Sequence, residues 1–149
     1  MSGKNTYSFL DTNAAIVGPG GAINLGAGSG SAEEGITIEA TGDINTMTIG
    51  ADGTPMHSLH ADKSGKVTVR LLKTSPTNAK LSLMYAFQTS AGANHGQNTI
   101  TLANSLTGDV ITCQVCAFEK APSLTYSKDG GSNEWVFAAG IIDRTLGTP

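Results

Sequence analysis

An all-β fold with one flanking α-helix, arranged as a β-sandwich or barrel, is what this sequence predicts, and three observations predict it. Several segments alternate apolar and polar residues with a period of two, as half-buried strands do. Glycine occurs 19 times and charged residues make up only 14% of the chain, a composition that suits short strands and tight turns better than long solvated helices. One stretch departs from this pattern: residues 74–88 carry a helix cap followed by apolar residues at helical spacing. The 149 residues fit one domain, 1–149, long enough to bury a core without disulfides or metal.

The strands follow in order along the chain. In Gly35–Thr41 the residues Ile36, Ile38 and Ala40 share one face, while Thr37, Glu39 and Thr41 share the other. A turn at Gly42–Asn45 leads into Thr46–Ile49, where Met47 and Ile49 are the apolar positions, so these two runs are expected to pair as a hairpin with one wet face. Lys66–Leu72 sets Val67, Val69 and Leu71 against Thr68 and Arg70. Further strands are expected over Asn98–Ala103, Val110–Phe118 and Glu134–Ile142, the last with Trp135, Phe137, Ala139 and Ile141 on one side.

The helix begins within Thr74–Asn78 and runs to the neighbourhood of Gln88. Ser75 can accept from the first free amides, and Pro76 at the first helical position loses no useful hydrogen bond. Ala79, Leu83, Ala86 and Phe87 form an apolar stripe expected to pack on a sheet. Two glycine-rich stretches, 18–35 and 50–60, read as loops, ordered through contact with neighbouring copies.

Charge and motifs narrow the function classes. The net charge is −3, and Lys and Arg are scattered singly, so no basic stripe exists to hold nucleic acid tightly. The N-terminal residues show no apolar signal region, and the longest apolar run, Val136–Ile142, is too short to cross a bilayer, so the expectation is no membrane binding by the subunit itself and residence in the cytoplasm. Cys113 and Cys116 form a C-x-x-C pair, yet in a strand residues three apart point to opposite faces and no second ligand pair follows. Gly26–Ser31 resembles the start of a phosphate-binding loop but lacks the Gly-Lys-Ser/Thr continuation and the helix that would follow. His57 and His60, with Asp52 and Asp62 nearby, would diverge in an extended segment, and His95 stands alone in a loop. No Gly-x-Ser-x-Gly turn exposes a serine, and the carboxylates are dispersed. No catalytic, cofactor-binding or metal-ligating residue is therefore assigned, and the protein is expected not to be an enzyme. The weakly charged, Thr/Ser-rich exterior suits a surface covered by copies of itself.

Larger blocks of sequence carry a resemblance. Thr6–Gly21, Gly50–Gly53 followed by His57–Leu81, and Tyr126–Asp143 are similar to tail tube proteins of contractile-tailed bacteriophages, the myovirus tail tube family. The junction Gly65–Leu81, a strand, a Thr-Ser-Pro-x-Asn cap and an apolar helix in fixed order, is its most specific part. The resemblance implies a β-sandwich flanked by one helix that assembles into hexameric rings, with a sheet from each subunit joining a continuous inner barrel. It implies a virion protein of the tail, made in the host cytoplasm, that stacks into a hollow tube and conducts DNA during ejection. The implied partners are further copies, the tail sheath protein, and the tape-measure, baseplate and tail-terminator proteins, with DNA in transient, non-specific passage. Within that picture Thr37, Glu39, Thr41, Thr46 and Thr48 are expected to face the lumen, where a mildly acidic wall avoids ion pairs with phosphate.

Two other readings compete. A receptor- or carbohydrate-binding β-sandwich of a tail fibre would expose aromatic residues, whereas aromatics make up 5% here and Trp135 reads as core. A small enzyme on a β-scaffold would use the His57/His60 region and bind zinc. The tube of a non-contractile tail or a secretion apparatus is a milder variant of the main reading.

Overall fold

Alternation in the sequence becomes nine strands and one α-helix among the described residues, which in this computed structural model are 9–26, 31–105, 107–122, 124, 126–128 and 130–147. The strands are β1 (Thr12–Gly18), β2 (Gly21–Asn24), β3 (Ser31–Ala40), β4 (Asn45–Ile49), β5 (Pro55–Leu59), β6 (Gly65–Leu72), β7 (Asn98–Asn104), β8 (Asp109–Lys120) and β9 (Ser132–Thr145). The helix α1 spans Thr77–Thr89 between β6 and β7. Seven strands form one antiparallel sheet in the order β2-β1-β7-β8-β9-β6-β3, and β4 pairs with β5 in a separate two-stranded sheet.

One core serves the whole sheet. Ile16 on β1, Ile23 on β2, Val67, Val69 and Leu71 on β6, Ile100 on β7 and Phe137 on β9 join Leu81 and Met84 of α1 in a single cluster. Strands from opposite ends of the sheet reach the same cluster, so the sheet coils around it with α1 laid across its concave side. Tyr85 of α1 meets Phe118 edge-on at 5.4 Å, and Phe118 in turn contacts Trp135 and Phe137. Trp135 Nε1 donates to Asn78 Oδ1 at 3.0 Å, while Asn78 Nδ2 donates to the Leu72 carbonyl at 2.8 Å, so one side chain ties the start of α1 to the end of β6 and to β9. Ser75 Oγ accepts from the Thr77 amide, as its position ahead of the helix led one to expect.

Four expectations are corrected. The first concerns the helix face. Leu81, Met84 and Gln88 are buried with Thr77, whereas Leu83 is 74% and Phe87 49% exposed, and Ala79 and Ala86 are exposed as well. Apolar residues lie on both sides of α1, so spacing alone selects no stripe.

The second concerns pairing. Gly35–Thr41 does not form a hairpin with Thr46–Ile49: β3 pairs with β6, Ala40 opposite Gly65, and β4 pairs with β5. The Thr41 amide donates to the Ser64 carbonyl and the His60 amide to the Ile44 carbonyl, so β3 and β6 run on into β4 and β5 as one long ribbon with one extra residue on the returning side. The stretch 50–60, expected as loop, is thus the tip of this ribbon and its returning strand.

Similarly, the described part of 18–35 is not all loop, for it holds β2, the buried Leu25 and the start of β3; residues 27–30, which carry most of the phosphate-loop resemblance, lie outside the described residues. The fourth correction concerns the cysteines. Cys113 and Cys116 both point into the core. Between them Val115 takes a positive φ of 54°, and β8 gains a residue on β7, so the strand changes face within the C-x-x-C segment. The same change appears on the paired β9, where Ala139 and Ile142 are buried and Ile141 is 38% exposed instead of joining Trp135 and Phe137.

Candidate assembly surfaces

Sheet registry determines which polar residues share the convex, solvent-facing side. Glu39 of β3 lies opposite Lys66 of β6, which lies opposite Ala138 of β9; Thr37 and Thr68 form the next row, which ends on the buried Val136, and Arg70 and Glu134 form another. Lys66 Nζ is 3.3 Å from a Glu119 carboxylate oxygen, and Arg70 Nε is 3.4 Å from Glu134, while Arg70 also donates to Thr37 Oγ1 at 2.9 Å. Lys66 and Glu119 are both hydrated, and Arg70 is partly covered while its partner Glu134 is exposed, so each pair contributes only about 0–1 kcal/mol. Their larger effect is on local charge: by register Glu39 has the cation Lys66 as its cross-strand neighbour, and Arg70 has Glu134.

The five residues expected to line a lumen divide between two sheets. Thr37 and Glu39 are exposed on β3, and Thr41 follows it, with its hydroxyl accepting from Ser64 at 3.2 Å. Thr46 and Thr48 are exposed on β4, out on the ribbon. The structure does not bring the five onto one strand pair.

The ribbon is the most exposed structured element. Every described residue from Thr41 to His57 is exposed, including Ile44, Met47, Ile49 and Met56, and Leu59 beyond them is 82% exposed. Its tip is nonetheless well built. The Gly50 amide donates to the Thr54 carbonyl, the Gly53 amide to the Gly50 carbonyl, and Gly53 has the positive φ of 87° that the turn requires. The Asp52 carboxylate accepts from the Thr54 amide at 3.0 Å, and hydrogen bonds from Thr54, side chain and then backbone, hold its pKa below the usual carboxylate range. Asp62, at the base of the ribbon, is lowered in the same way by Ser64. In the ribbon's sequence only Thr46–Ile49 alternates as a strand and 50–60 reads as glycine-rich loop; the signal for the ribbon lay in the near-symmetry of apolar residues about the glycine turn.

The motifs once weighed for chemistry find other roles. His57 Nδ1 lies 3.2 Å from Asn45 Nδ2, and His60 Nε2 lies 2.7 Å from Thr46 Oγ1, so each ring is engaged by a different strand neighbour. Among the described residues no three of His, Cys, Asp and Glu come together as metal ligands. Burial pushes the Cys113 thiol up, and burial with the adjacent Cys113 pushes Cys116 up to about 12, the reverse of what a reactive thiol needs. No helix among the described residues is long and apolar enough to cross a membrane.

Comparison with known proteins agrees with an assembling subunit. A family model described as bacteriophage PhiTE tail tube protein matches residues 4–147. No curated protein sequence matches the chain. Among solved structures, the chain is similar to one from the sheath-tube complex of an extracellular contractile injection system, PVC, in its extended state, with a TM-score of 0.59 at 13% identity over 96% of this chain and 93% of that one. The tube-terminating cap of the anti-feeding prophage gives 0.56 at 11% identity, covering 95% and 93%. The PVC sheath/tube terminator, also in the extended state, gives 0.51 at 14%, covering 94% and 96%. At these identities the likeness is one of fold.

Proposed function

Since this chain belongs to the bacteriophage PhiTE tail tube protein family, and is thus a structural subunit of a tail tube found in the virion tail, we propose that it assembles as stacked hexameric rings around a lumen that conducts DNA during ejection. The observation that carries the reading is the mismatch between a well-packed core and well-formed surfaces left uncovered. Among the described residues the sheet ends in two unpaired edges, β2 and β3, and the ribbon holds apolar side chains in water. Free edges and exposed apolar faces are liabilities in a monomer and assets in a polymer. Closing seven-stranded sheets edge to edge around a ring removes the edges.

In this reading the subunit performs no chemistry of its own; it is made in the host cytoplasm and works by position. Its partners are further copies, a sheath and a terminator, as the fold neighbours from sheath-tube and cap complexes suggest, together with tape-measure and baseplate proteins at the tube's ends. Thr37, Glu39, Thr41, Thr46 and Thr48 face the lumen. Lys66 beside Glu39 keeps that wall near neutral, so passing phosphates meet neither a strong attraction nor a strong barrier. Negative-stain microscopy of the purified full-length chain tests the assembly: rings or tubes with a central hole are expected, and a protein that stays monomeric at high concentration overturns it. A tube map resolving side chains tests the lumen, and Glu39 on the outer surface of the tube would remove it from the wall.

A further inference from the structure

Two uncovered apolar surfaces of this chain are complementary. One is an open groove of about 330 Å³ between α1 and the edge strand β2, lined by Ile23 and Met84 within and by Leu83 and Phe87 on the helix side. Its opposite wall is Gly20, Gly21 and Ala22, and a side chain added at Gly21 would meet nothing within 4 Å, so the wall leaves room for side chains from outside. Lys80 lines this groove, and among the described residues no carboxylate pairs with it. The other surface is one face of the β4–β5 hairpin, where Met47, Ile49 and Leu59 are each more than half exposed and share a side by registry. Asp52 at its tip is fully hydrated and anionic at neutral pH.

We infer that the β4–β5 hairpin of one copy lies in the α1–β2 groove of another, with Met47, Ile49 and Leu59 against Leu83 and Phe87 and the Asp52 carboxylate against the Lys80 ammonium. Two features favour a second copy as the occupant. The groove adjoins β2 at one end of the sheet order, whereas the ribbon grows from β3 at the other end. A contact between two different patches of the same chain is heterologous, so it propagates from copy to copy and does not close a dimer. The opposite charges at the groove and the tip fix the register of an otherwise greasy contact. The inference rests on the tube reading and adds which surfaces meet.

A double variant, Asp52→Cys with Lys80→Cys in the full-length chain, tests it after assembly and mild oxidation. Both sites are exposed, and the native thiols are buried. A ladder of disulfide-linked multimers is expected on a non-reducing gel from the double variant and not from either single variant. Tubes that give no ladder overturn the docking while leaving the tube reading intact; a wild-type chain that forms no polymer overturns the tube reading itself. Cross-linking by Asp52→Cys alone means that hairpin meets hairpin, which also overturns it. If the double variant does not assemble, charge reversal decides: Lys80→Glu should raise the concentration needed for polymerisation several-fold and Lys80→Glu with Asp52→Lys should restore it, and failure of the restoration overturns the pairing.

Discussion

At Gln88 and Asn98 two fully buried amides bond to each other reciprocally, both at 2.7 Å, and Gln88 Nε2 also donates to the Pro19 carbonyl at 2.8 Å. This arrangement ties the end of α1 to the start of β7 and to the β1–β2 turn, which is one wall of the α1–β2 groove. Gly18 packs directly on it: a Cβ there would overlap Asn98 Oδ1, which the Gln88 bond holds in place. Gly18→Ala should therefore cost on the order of 1–3 kcal/mol, read as a lower urea midpoint with an unchanged slope. Gln88→Leu should cost about 1–3 kcal/mol, because Asn98 and Pro19 are then left without their partner. Adding Asn98→Leu should recover part of that loss. The cysteines make a pH prediction. The Cys116 thiol, ordinarily titrating at 9.0, is raised to about 12 in the folded protein, so above the lower value the unfolded chain gives up a proton that the folded chain keeps. The contribution is whole below about pH 9 and is lost as pH rises toward 12. Cys116→Ala should show a shallower alkaline loss of stability than the wild type in parallel urea titrations, and identical slopes would refute the assignment.

The helix illustrates what an element's sequence does and does not reveal. Its boundaries were legible, because Ser75 and Asn78 act through local bonds and Pro76 through its fixed φ of −66°. Its buried face was not, because the choice between Leu81 with Met84 and Leu83 with Phe87 depends on how the coiled sheet approaches, which no local pattern encodes. Leu81→Ala should cost about 2–5 kcal/mol of subunit stability, whereas Leu83→Ala should leave the unfolding midpoint within about 0.5 kcal/mol of the wild type. Strand existence was legible for the same local reason: Lys66–Leu72 alternates cleanly and does so in the sheet. Strand partners were not, since the expected hairpin joined two runs that are near in sequence, while β3 pairs across the whole ribbon with β6. The C-x-x-C segment misled for a third reason. Strict alternation puts its cysteines on opposite faces, and only the left-handed turn at Val115 returns both to the core, beside Gly140, where a Cβ would lie 3.1 Å from that of Val115. Of the candidate surfaces, the exposed Thr37 and Glu39 were readable from alternation, but the groove between α1 and β2 required the fold.

On the scale of the molecule, the interior and the periphery differ in what holds them. Strands β8 and β9 are long, paired on both sides and lined by Cys113, Cys116, Phe118, Trp135 and Phe137, so their amides should open only with global unfolding. The ribbon 41–64 is held by backbone bonds and by exposed side-chain hydrogen bonds such as His57 with Asn45 and Asp62 with Ser64, and its side chains contribute almost nothing to the core. Among the described residues strand β3 has a neighbour on one side only, and so has β2. Free subunits should therefore exchange amide hydrogens quickly along the ribbon and the outer side of β3, and slowly through β8 and β9. Assembly buries edges and apolar faces without adding to the core, so it should protect the first group strongly and leave the second unchanged. Hydrogen exchange on monomers and on tubes of the same protein measures this directly, and peptides covering 41–64 supply the decisive comparison. Equal protection of that segment in both states would mean that the ribbon meets no neighbour, and the exposed Met47, Ile49 and Leu59 would then need another explanation. Protection that appears in the ribbon and in the β1–β2 turn together, with none in the loop after α1, is the pattern that a hairpin seated in the α1–β2 groove requires.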